Sequence, residues 1–203
     1  MGHRAGRTVG DLDRRGGTPV ITPSQTVGPF YGYALPFAKG GEIAPAGDPR
    51  AVTFHGVVRD GEGAPIPDAL LEFWQAGPDG RRTGAPGSLR RDPADGAVIG
   101  RDGLVFTGFG RVPTDADGHY AVRTLPPPQH APYLSVIVFA RGLLHHLHTR
   151  AYLPGHEDDA LLAALPEERR ATLVAREESE GVHRFDIRIQ GSSAEETVFL
   201  DFH

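Results

Sequence analysis

Three histidines within four positions, His145, His146 and His148 of GLLHHLHTRAYLPG (142–155), form the densest set of metal-capable side chains in the sequence. Neutral imidazole is a ligand for zinc, copper, nickel and iron. On a strand, His146 and His148 share a face and His145 opposes them; on a helix, His145 and His148 are neighbours. Either arrangement supplies two ligands, whereas a closed site needs a third and usually a fourth. His156, Glu157 and Asp158 follow in a loop-like stretch as candidates. The plainer reading is a set of polar histidines at a strand edge, which a histidine pair without a closed ligand set favours.

Other chemistry is sparse. TDADGH (114–119) resembles part of a calcium loop, but Gly118 comes directly after Asp117 and a strand begins at His119, so an Asp-Gly turn between strands is expected. No glycine-rich phosphate cradle leads from a strand into a helix, and no serine sits in a nucleophile elbow. With no cysteine, thiolate chemistry and disulfides are excluded. TPSQTVGPFYGY (22–33) reads as an arm ahead of the first strand; Gly28 and Pro29 would give it a backbone surface that a ligand can approach. In FARG (139–142), Arg141 ends a strand, where an arginine pairs with a carboxylate of the protein or of a ligand.

The elements that must position these residues are mostly strands. The 203 residues suffice for one well-cored domain, and 27 glycines and 18 prolines punctuate short apolar runs. AVTFHGVV (51–58), ALLEFWQA (69–76), GLVFTGFGRV (103–112), HYAVRTL (119–125), YLSVIVFARG (133–142), GVHRFDIRIQG (181–191) and TVFLDF (197–202) read as strands. They predict an all-β sandwich of about seven or more strands. YLSVIVFARG, nearly continuously apolar, is expected to be central and well buried. EDDALLAALPEERRATLVAREE (157–178) predicts two short helices in a crossover, with Pro166 in a first turn. Residues 1–18 are expected to be a disordered tail and 19–203 a single domain, with 19–50 as an N-terminal arm. The net charge of -5, with Lys39 the only lysine, does not suggest nucleic acid or an anionic membrane as partner. The first residues lack an apolar signal region and no run is long enough to span a bilayer, so a cytoplasmic protein is expected.

In this order and spacing, TPSQTVGPF, LEFWQAGPDGR, FTGFGRVPTDADGHY and SVIVFARGLLHHLHTRAY resemble the intradiol ring-cleavage dioxygenases, over roughly residues 20–203. The WQA and TD-x-x-G-x-Y segments are similar to the whole family. TPSQT-GP and VFARGLL are similar to the iron-free subunit type of its heteromeric members. The resemblance implies a β-sandwich and a non-haem Fe(III) held by two tyrosines and two histidines. It implies cleavage of a catechol between its hydroxyl-bearing carbons, with both atoms of O2 inserted. Hard tyrosinate and catecholate oxygens suit ferric iron.

Set against that pattern, the chain departs at every ligand. The first tyrosine's place is Arg82, the second falls in LPPPQHAP (125–132), which has no tyrosine, and the histidine places are Tyr133 and Ser135. The resemblance therefore implies no metal ligand and no catalytic residue here, with the Fe(III) bound by a partner β-type subunit. His145, His146 and His148 match none of the family's ligands. What the resemblance assigns to this chain is part of the wall around 3,4-dihydroxybenzoate, through Thr26, Gly28, Pro29 and Arg141. Two other readings compete. One is a non-catalytic β-sandwich binding or scaffold module; the other is a self-sufficient metalloenzyme using the three histidines.

Overall fold

The computed structural model of the chain describes residues 25–82, 84, 88–156 and 158–202. The expected tail, 1–18, and the start of the arm lie outside the described residues. Two sheets face each other. The first is built on β1 (Val52–Arg59), which pairs antiparallel with β6 (His119–Thr124). On its other side β1 runs parallel to β10 (Val182–Arg184) and then to β11 (Ile187–Arg188), with β9 (Arg176–Ser179) outside β10. The second sheet has the order β5 (Phe109–Pro113), β2 (Leu70–Trp74), β7 (Tyr133–Phe139), β8 (Leu147–Tyr152), all antiparallel. A separate hairpin joins β3 (Leu89–Arg91) to β4 (Val98–Arg101).

Alternation along the strands makes the core. Every second residue of β1 and of β7 is buried. Phe54, Val58, Val122, Phe185 and Ile187 from the first sheet meet Leu71, Phe73, Leu134, Val136 and Val138 from the second. Each such side chain contributes about 1.5–3 kcal/mol on burial. Phe73 and Tyr120 touch across the interface with ring centroids 5.6 Å apart. The Tyr120 hydroxyl donates to the Phe185 carbonyl at 2.5 Å, and burial pushes its pKa well up.

Several elements differ from expectation for identifiable reasons. Within 103–112 only the end is strand; Leu104 and Val105 are exposed in the preceding loop. The Asp-Gly turn forms, with Gly118 at φ 72 and Asp115 accepting from the amides of Asp117 and His119. It joins β5 to β6, which belong to different sheets, so it is a corner and not a hairpin. GVHRFDIRIQG breaks at Phe185–Asp186, and the Asp186 carboxylate accepts the Val57 amide at 2.9 Å where the ladder lapses. TVFLDF forms one bridge, Leu200 to His148, instead of a strand. β7 is interior to its sheet, but its outer-face residues stay half-buried. No strand was expected at β3, β4 or β8, and residues 176–178 of β9 belong to the stretch expected to be helical but pair as strand beside β10.

The crossover from β8 to β9 carries the two expected helices, α2 (Ala160–Ala164) and α3 (Glu167–Ala171). Asp159 caps α2 through the Leu161 amide; Pro166 stands at the N-cap position of α3, just ahead of the first turn, with no side-chain capping bond. Leu162 and Leu173 pack with Tyr152 and Val198 in a second small core. The segment before β1 laces the two sheets together. The amides of Arg111 on β5 and Arg123 on β6 donate to the carbonyls of Gly40 and Gly41, and Ile43 inserts into the core. Arg101 of β4, whose pKa burial lowers to about 10, donates to the carbonyls of Glu42 and Phe109, fastening the lacing.

A Cβ at Gly56 of β1 would stand 2.0 Å from the Phe185 oxygen, an approach matched among the described glycines at Gly40. Gly56→Ala is expected to lower folding stability by about 1–3 kcal/mol, because the parallel pairing must open. Denaturant unfolding measures this, and a change under about 0.5 kcal/mol would show that the pairing is not tight there.

Candidate functional site

β2 and β7 pair with Leu70 opposite Phe139 and Trp74 opposite Ser135. Continuing that register two residues beyond Leu70 and Phe139 brings Asp68 opposite Arg141. The side chains meet there, with Nη2 of Arg141 2.7 Å from Oδ2 of Asp68. Arg141 is largely exposed, so the pair lies on a rim and its guanidinium keeps donors for another anion. The Tyr31 hydroxyl donates to the Asp68 carbonyl. Burial and then the Asp68 charge raise the Tyr31 pKa, so the phenol stays protonated and able to donate. Tyr31 opens α1 (Tyr31–Ala34), directly after the TPSQTVGP loop. Gly28 in that loop has φ 78 with nothing within 4 Å of a would-be Cβ, so its glycine serves the backbone turn and not a tight fit.

Thr26 stands in the wall of a cleft of about 320 Å³, with Phe139, Ala140, Leu143, His145 and His146. The structure thus gathers Thr26 with two of the histidines, and Arg141 with Asp68 and Tyr31. Gly28 and Pro29 link the two groups along the chain. Sequence reasoning set the histidines aside as strand-edge residues, and it missed Asp68 and Tyr31. Only the pairing register could have found Asp68. His146 and His148 do share a face, as extended chain requires, with ring centroids 4.7 Å apart. Phe139 packs on His146 at 5.3 Å and Phe202 on His148 at 5.0 Å. Among the described residues no group of three or more His, Asp or Glu side chains is placed to hold a metal ion.

At the other end of β2 and β7 lies a smaller cavity of about 60 Å³, lined by Trp74, Gln75, Arg82, Ala131, Tyr133 and Ser135, with Ala76. Arg82, Tyr133 and Ser135, with Ala131 of LPPPQHAP, are the places that the resemblance gives to metal ligands, and they line this one cavity. The lining does not fit ferric iron. Arg82 brings a cation. Gln75 is committed, donating to the Leu125 carbonyl and accepting from Thr124. The Tyr133 ring lies under the Arg150 guanidinium at 3.9 Å.

Known proteins share this outline. A family model described as a dioxygenase matches residues 26–190. The protocatechuate 3,4-dioxygenase alpha chain of Burkholderia cepacia is 38% identical over 204 residues, covering 89% of this chain and 96% of that one. The alpha chain of the same enzyme from Pseudomonas putida is 32% identical, with the same coverage. The dioxygenase domain of a carbohydrate-binding fusion protein from Streptomyces sp. SirexAA-E superposes with a TM-score of 0.51 at 24% identity, over 84% of this chain and 99% of that one. That likeness shows the fold.

Two histidines make stability depend on pH. Burial, then the His146 charge, lowers the pKa of His148; burial lowers that of His183, which is packed on Phe54. Below about pH 6.5 the unfolded chain therefore takes up protons that these two rings resist, and stability falls as pH drops through their folded pKa values. The melting temperature is expected to decline from about pH 7 to about pH 5. Replacing both by Asn should flatten that slope, whatever it costs at higher pH; an unchanged slope would assign the dependence elsewhere.

Proposed function

This chain belongs to the intradiol ring-cleavage dioxygenase family, and we propose that within it the chain works as the alpha-type, iron-free subunit of a heteromeric protocatechuate 3,4-dioxygenase. The assembled enzyme uses O2 to open 3,4-dihydroxybenzoate between its hydroxyl-bearing carbons, giving 3-carboxy-cis,cis-muconate, a step of cytoplasmic aromatic catabolism. The non-haem Fe(III) is held by a β-type partner. Among the described residues no helix is long and apolar enough to cross a membrane.

The observation that carries this reading is the separation of two features on one pair of strands. The cationic rim at Arg141, two residues past the end of β7, and the cavity at Trp74 and Ser135 are six residues apart, up to about 20 Å at 3.4 Å per residue. That is longer than a single aromatic ring with its carboxylate. Arg141 is therefore set away from the chain's own cavity, which in any case lacks iron ligands, and Thr26 lines a different cleft. They fit the wall of a site whose metal belongs to another chain. In that wall Thr26 and the Gly28–Pro29 turn shape the space beside the ring. Arg141, aimed by Asp68, supplies positive charge for the substrate carboxylate or for acidic groups around it. Phe30 and Tyr33, next to the loop, are 77% and 88% exposed in the chain by itself, which suits a surface that a partner covers.

The test is to express the chain alone and with its β-type partner. Alone it should contain no iron and cleave nothing; together they should contain iron and open the ring. Arg141→Ala in the complex should keep the iron but raise KM for 3,4-dihydroxybenzoate roughly tenfold or more, the size of one charge-assisted hydrogen bond. A catechol without the carboxylate should change far less. Loss of iron from that variant would make Arg141 structural. Full activity from the partner alone would leave this chain a scaffold.

A further inference from the structure

We infer that His55 and His119, on the outer face of the first sheet, form a two-histidine site for a divalent transition ion of the zinc, nickel or copper class. They lie on adjacent antiparallel strands, His55 on β1 and His119 on β6, two residues from direct opposition and on the same face. Nδ1 of His55 and Nε2 of His119 stand 3.3 Å apart. Two nitrogens bound to one tetrahedral zinc at about 2.0–2.1 Å are themselves about 3.3–3.4 Å apart.

The far nitrogens carry the second half of the argument. Nε2 of His55 is hydrogen-bonded to Oε2 of Glu178 at 3.0 Å, whereas Oδ2 of Asp115 lies 3.9 Å from Nδ1 of His119, a charge contact longer than a hydrogen bond. A carboxylate behind an imidazole holds the proton on that side and leaves the near nitrogen's lone pair free, the arrangement found around most metal-bound histidines. Here Glu178 backs His55 in this way, and the near nitrogen of His55 faces Nε2 of His119. Without a metal, a proton must lie between them. Imidazole ligands select the late divalent ions over magnesium or calcium.

The surrounding charge permits a cation. Arg184 lies opposite His55 on β10, but it is paired with Asp186 at 3.0 Å. Arg176 is paired with Glu178 at 2.9 Å. His55 is about one-fifth and His119 about two-fifths exposed, so water completes the coordination and the site is open. None of these residues belongs to the face proposed to meet substrate, so the inference stands independently of that reading.

Calorimetric titration of the purified full-length chain with Zn2+ tests it, with melting curves to confirm that each variant folds. One zinc per chain is expected. His119→Ala should weaken binding at least tenfold and His55→Ala similarly; if the latter misfolds, the more exposed His119 still decides. Glu178→Gln should weaken binding about tenfold, the typical loss on removing a carboxylate behind a ligand. The His146→Ala, His148→Ala double variant should bind as the parent does. Absence of binding at millimolar zinc would overturn the inference. So would binding that survives His119→Ala but is lost in the double variant.

Discussion

The register of β2 against β7 is the constraint on which the functional surfaces depend. It sets Leu70 against Phe139 and Trp74 against Ser135, and so fixes what meets at each end. At one end Asp68 and Arg141 pair, and Tyr31 ties the N-terminal loop to them. At the other end the positions that the family uses for metal converge as a cavity containing Arg82. A slip of one residue would turn every side chain of β7 to the wrong face and dismantle both ends. One strand pair thus carries both the small cavity and the Asp68–Arg141 rim.

That register is protected by packing on both sides. Inside, Leu71, Phe73, Val136 and Val138 have no alternative placement that keeps them from water. Outside, Glu72 and Arg111 form a half-buried cross-strand ion pair, and Arg111 also reaches the Leu35 carbonyl of the arm. The arm is therefore coupled to the sheet whose end it decorates, through Arg111, Arg101 and Ile43. Replacing a buried guanidinium such as Arg101 would remove a donor from the carbonyls of Glu42 in the arm and Phe109 on β5, loosening the tie between them.

The strands with strict alternation, β1, β6 and β7, were legible because period-two burial writes itself into Val, Ile, Leu, Phe and Tyr positions. β9 was not, since all four of its residues are exposed and its sequence, REES, carries no apolar signal. β8 was masked by its polar outer face of histidine and arginine. The hairpin of β3 and β4 depends on Arg101 finding carbonyls far away in sequence, which no local pattern announces. The candidate site was legible in its parts. The family resemblance singled out Arg82, Tyr133, Ser135, Thr26 and Arg141, but Asp68 and the place of His145 and His146 beside Thr26 required the folded chain.

The central claim is that the metal partnered by this chain's wall is not its own. Anomalous scattering at the iron edge from crystals of the assembled enzyme tests it most directly. The account predicts one iron for each pair of chains, bound by side chains of the partner, with the Thr26–Pro29 loop and Arg141 turned towards it and no iron signal at Arg82, Tyr133 and Ser135. An iron peak in that cavity, or at His145, His146 and His148, would contradict it.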